Sequence, residues 1–79
     1  MPTPFDQETR IAYAVPATTR QAELQVRNSL SGKLLRTVEL NTQQHEVVLR
    51  LNGLLPGVYH YQLMVDGVPR AHRRLVLAY

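Results

Sequence analysis

A chain of 79 residues has room for one domain. A domain of that size buries only about 60% of the surface its unfolded form exposes, so nearly every apolar side chain is committed to one core and little remains to line a deep substrate pocket. Cysteine is absent, which excludes a disulfide framework, a thiolate nucleophile and a cysteine-based zinc site. Nine basic residues against six acidic ones leave a net charge of +3, with Lys33 the single lysine; this mild excess favours solubility and lacks the dense basic stripe of a nucleic-acid domain.

The apolar residues recur with period two, as strands require. The first predicted strand runs from Thr9 to Val15, with Ile11, Tyr13 and Val15 on one face. Ala22, Leu24 and Val26 mark a second, and Leu34 to Leu40 a third, in which Val38 and Leu40 are in phase. Val47, Leu49 and Leu51 mark a fourth, and Tyr59, Tyr61, Leu63 and Val65 a fifth. Leu75 and Leu77 form the last, with Tyr79 in phase beyond them. Turn residues separate these runs: Pro16 to Thr19, Leu30 to Lys33 around Gly32, Asn41 to Gln44, Pro56-Gly57, and Asp66-Gly67. Asp-Gly between two strands is the strongest hairpin signal in the chain. Six short strands at this spacing predict an all-β antiparallel fold, either a sandwich of six to seven strands or a small barrel, and the sandwich is favoured. Residues 1–8, with two prolines and Phe5, read as a lead-in segment, and residues 9–79 as the sandwich.

Leu54-Leu55-Pro56-Gly57-Val58-Tyr59 is the most specific segment. Pro56 fixes φ before the turn, and Gly57 allows a tight approach into the next strand. A tyrosine just beyond such a turn can donate back to the preceding loop, as tyrosine corners do in sandwiches. Tyr13 and Tyr61 could form a sugar platform, but their phase with Ile11, Val15 and Leu63 places them in the core. His45, His60 and His72 lie on three separate segments with no metal-ligand spacing, so they read as solvent-facing strand positions. Arg70-Ala71-His72-Arg73-Arg74 is the only charge cluster; it either guards a strand edge against pairing or docks on an acidic partner. The acidic residues are scattered, and no phosphate loop or nucleophile elbow is present, so no sequence feature argues for catalysis.

The pattern resembles the type A C-terminal sorting domains of the type IX (Por) secretion system. The resemblance is carried by Pro2-Thr3-Pro4-Phe5, then Ile11 to Pro16, Leu24 to Asn28, Gly32-Lys33, Leu55-Pro56-Gly57-Val58-Tyr59, Asp66-Gly67, Arg73-Arg74 and Leu75-Val76-Leu77. It spans Pro2 to Tyr79; Thr3 departs from the family's usual Asn, and Leu54-Leu55 is bulkier than in many members. It implies an immunoglobulin-like sandwich in which Pro4, Phe5, Gly32, Lys33, Pro56, Gly57 and Tyr59 play a mainly structural part. It implies no enzyme activity and no cofactor, metal or small-molecule substrate. The implied role is an address label at the end of an exported cargo in Bacteroidota: the cargo crosses the periplasm, and the outer-membrane type IX translocon reads the label. A sortase-like peptidase then removes it, and the cargo is released or held at the cell surface. Met1 is followed by Pro-Thr-Pro and not by a basic and then apolar stretch, so the export signal is expected on a larger precursor. Strand addition or arginine docking at the last hairpin nominates Gly67, Arg70, Arg73, Arg74, Leu75 and Val76 as recognition residues. Rival readings are a fibronectin-like or flagellar-hook-type spacer, a carbohydrate-binding module, and self-association through an open sheet edge.

Overall fold

The computed structural model describes residues 8–77, whose regular structure is entirely antiparallel β. Six strands follow in order: β1 (Glu8–Ala12), β2 (Ala22–Asn28), β3 (Leu34–Leu40), β4 (Glu46–Arg50), β5 (Gly57–Val65) and β6 (Val68–Leu77). They form a two-stranded sheet, β1-β4, and a four-stranded sheet in the order β3-β2-β5-β6. The arrangement is sandwich-like, with the small sheet covering part of the large one.

The period-two alternation places the core as expected. Ile11 and Leu49 from the small sheet join Ala22, Leu24, Val26, Leu40, Tyr59 and Leu77 from the large one in a single buried cluster. Leu24, Val26 and Leu49 are the largest fully buried side chains. Burying each contributes about 1.5–3 kcal/mol, the scale on which a chain this short must balance its conformational entropy.

The first strand is shorter than its alternation predicts, ending at Ala12 instead of Val15. The Tyr13 N–H still donates to the His45 carbonyl (2.8 Å), and the Tyr13 hydroxyl to the Asn41 carbonyl (2.6 Å), so Tyr13 stays buried after the strand has stopped. At its other end the strand includes Glu8, one residue ahead of the expected boundary.

The last strand is far longer than its two leucines suggest. Asp66 (φ 50°) and Gly67 (φ 80°) both adopt positive φ, as a two-residue primed hairpin turn demands, and pairing resumes at once with Val65 opposite Val68. A bulge follows: Met64 pairs with Pro69 and Leu63 with Ala71, leaving Arg70 as the extra residue. The bulge has a clear cause. Without it, the tight turn would set Tyr59 opposite Arg74 and turn Leu75 and Leu77 away from the core. One inserted residue restores Leu75 opposite Tyr59 and Leu77 opposite Gly57.

A further turn at Asn52-Gly53 has Gly53 at φ 87° and the Leu54 N–H donating to the Leu51 carbonyl (3.1 Å). The Arg36 guanidinium reaches across to the Asn52 carbonyl (2.6 Å) and ties β3 to this turn.

Candidate functional site

The candidate recognition residues all lie on the last hairpin, and that hairpin is a sheet edge. Among the described residues, β6 pairs with β5 on one side only. Its ten residues leave a row of backbone donors and acceptors for another strand, interrupted by Pro69, which lacks an N–H, and by the bulge at Arg70.

Residues directly opposite each other share a face, so the register sorts the candidates. Arg73 stands opposite Tyr61 and Leu75 opposite Tyr59, on the face toward the small sheet. Arg74 stands opposite His60 and Val76 opposite Val58, on the outer face. Gly67 sits in the turn at the far end. The structure thus brings the six residues onto one strand and its turn, but divides them between two faces. The side chains of Arg70, Arg73 and Arg74 are exposed and make no hydrogen bond or ion pair among the described residues. Arg73 lines a groove of about 240 Å³ between the sheets, together with Ile11, Tyr13, Tyr61 and Leu63.

The described motif residues lie in the turns and at the start of β5. Tyr59 is buried and its hydroxyl donates to the Leu55 carbonyl, which makes the expected tyrosine corner across Pro56-Gly57. Gly57 differs from expectation: its φ is not positive, and a Cβ there would meet only the Tyr59 ring at 3.9 Å, an ordinary contact, so no close approach requires glycine. Gly32 takes φ 72° in the β2–β3 loop. The Asn28 side chain organises that loop by accepting from the Leu30 and Ser31 N–H groups (2.8 and 3.0 Å), and Lys33 is exposed beside it. Pro4, Phe5 and Tyr79 lie outside the described residues.

Tyr13 is a core residue, as its phase predicts, while Tyr61 is half-buried. Two histidines that look unrelated in sequence meet in space. The His60 and His72 rings stack edge-on with centroids 6.2 Å apart on the outer face of β5 and β6, His60 half-buried and His72 exposed. No group of three potential metal ligands occurs among the described residues.

Two features of this outer face escaped the sequence reading. Arg27, His60 and Arg74 stand in one row across β2, β5 and β6. Beside the row, the loops Asn28–Leu30 and Leu55–Gly57 open a cleft of about 720 Å³. Period-two alternation marks such positions as outward-facing but does not say which outward residues become neighbours. Comparison with protein-family models, curated proteins and solved structures finds no match to this chain.

Proposed function

We propose that this chain is a non-catalytic recognition domain, and specifically a sorting label read by the type IX secretion machinery. The observation that carries the reading is β6: among the described residues it is a long edge strand with no neighbour beyond it, and it presents the side chains of Arg70, Arg73 and Arg74 with no partners there. Such an edge suits strand addition by a partner, and its free guanidinium groups suit acidic groups on that partner.

We infer an immunoglobulin-like topology from the strand order, and it fits the same reading. In that scheme β1 and β4 correspond to strands B and E, and the order β3-β2-β5-β6 to C′-C-F-G. Tyr59 then falls at the start of strand F, where the tyrosine corner of such folds sits. The assignment to the type IX family itself rests on the order and spacing of the motif residues in the sequence.

The role implies an upstream cargo joined to the label, passage through the periplasm, recognition by the translocon and cleavage by a sortase-like peptidase. A secretion experiment tests it. The whole chain is fused behind a signal peptide and a fluorescent reporter in a bacterium with a working type IX system. Reporter reaching the medium or the surface, and lost in a translocon-deficient strain, is the expected result. Folded fusion retained in the periplasm would turn the reading toward a sandwich spacer, which shares the topology and the corner.

A further inference from the structure

The loop after β2 and the loop before β5 meet at one end of the large sheet, where the Ser29 N–H donates to the Val58 carbonyl (3.1 Å). The 720 Å³ cleft between them has the size of a site for one or two side chains or a small ligand. Its rim is unusually apolar for a surface. Leu30 is 98% exposed and Leu55 75% exposed, and Val76, 60% exposed, stands opposite the lining residue Val58. Exposed aliphatic side chains gathered at one place mark an interaction surface more often than isolated ones do.

An adjoining hollow of about 330 Å³ is lined by Arg27, His60 and His72 and shares Asn28, Ser29 and His60 with the cleft. Two arginines flank one histidine in a single cross-strand row. No carboxylate among the described residues lines either hollow. Among the described residues, Glu23, Glu39 and Asp66 belong to the opposite end of the large sheet, and Glu8 and Glu46 to the small one. The Arg27 guanidinium is held in place by the Gly32 carbonyl (3.1 Å) and Gln25 Oε1 (3.2 Å), whereas Arg74 has no partner among the described residues.

We propose that this end of the domain binds a protein segment presenting an apolar side chain beside a carboxylate. The apolar side chain occupies the cleft between Leu30 and Leu55, and the carboxylate accepts hydrogen bonds from Arg74 and Arg27 on either side of His60. Charge complementarity selects an anionic partner. The recessed cleft, with only three aliphatic side chains at its rim, favours a peptide over a membrane surface, which needs a broader apolar face. The site shares Arg74 and Val76 with the β6 edge proposed for sorting, and its peptide binding is measured apart from export, so either reading can fail without the other.

The test uses the whole purified chain and a short fluorescein-labelled peptide with a central Leu-Glu-Asp-Phe step, its neutral Leu-Gln-Asn-Phe isostere, and vesicles of phosphatidylglycerol and phosphatidylcholine. Saturable anisotropy with the acidic peptide, at least about tenfold weaker with the isostere, is expected. Arg74→Glu and Leu55→Asp each weaken it by about tenfold, and Arg50→Ala, on the small sheet, leaves it unchanged. All three positions are exposed, and circular dichroism of each variant checks that it folds. Equal binding of both peptides, no binding of either, or binding confined to the vesicles would overturn the proposal.

Discussion

Tyr59 donates its hydroxyl to the carbonyl of Leu55, four residues earlier, and so pins the Pro56-Gly57 turn to the start of β5. The ring of Tyr59 is buried while Leu55 itself is exposed, so one side chain serves both the core and the loop that edges the proposed cleft. Tyr59→Phe keeps the ring and removes the bond. It should cost about 1 kcal/mol, because the freed carbonyl can turn to water. Tyr59→Ala, which empties the ring's space, should cost about 3–5 kcal/mol. Urea unfolding of the two variants against the parent separates the hydroxyl's contribution from the ring's.

Asp66 does two jobs in the β5–β6 turn. It holds φ 50°, and its Oδ1 accepts from the N–H groups of Arg20 and Gln21 (both 2.9 Å), while its own N–H donates to the Gln21 carbonyl (2.8 Å). Asp66→Ala loses both side-chain bonds and the tolerance for positive φ, and should destabilise by about 2 kcal/mol. Asp66→Asn keeps an acceptor oxygen and that tolerance, and should cost less than about 1 kcal/mol. Gly67→Ala at φ 80° should cost about 1–2 kcal/mol from backbone strain alone, since an added Cβ meets nothing within 4 Å. Thermal unfolding midpoints rank the three.

Deleting Arg70 tests the bulge. A chain one residue shorter cannot keep both the Asp66-Gly67 turn and the pairing of Leu75 with Tyr59. Losing the burial of Leu75 and Leu77 should cost roughly 3–6 kcal/mol. That is comparable to the whole stability of a domain this small, about 4–12 kcal/mol. Arg70→Ala, which keeps the residue count, should be neutral within about 0.5 kcal/mol. Amide exchange along β6 distinguishes a shifted register from global unfolding.

The arginines of β6 should matter more for association than for folding. Arg73 and Arg74 are exposed and their side chains have no partner among the described residues, so replacing both with Val should change stability by less than about 0.5 kcal/mol each while removing the charge that keeps the open edge from pairing with another chain. Sedimentation at rising concentration should show dimers or larger species in the double variant only. A monomeric double variant would mean that Pro69 and the bulge suffice to protect the edge.

What the sequence determined by itself is local. Alternation of Ala22, Leu24 and Val26, and of Tyr59, Tyr61, Leu63 and Val65, marked strands and their core side, because successive side chains in a strand point to opposite faces. Asp66-Gly67 and the segment around Gly32 marked turns, because few residues tolerate positive φ. Asn52-Gly53 carries the same signal, with Gly53 at φ 87°. The tertiary structure alone decided what depends on distant pairing: that β1 leaves its neighbours to pair with β4, that β6 is an edge, and that Arg27, His60 and Arg74 form a row. The bulge at Arg70 shows the physical reason. One extra residue reverses the facing of everything beyond it, turning Arg74 and Val76 outward and Leu75 inward, and its need arises only when a tight turn and a distant core must both be satisfied.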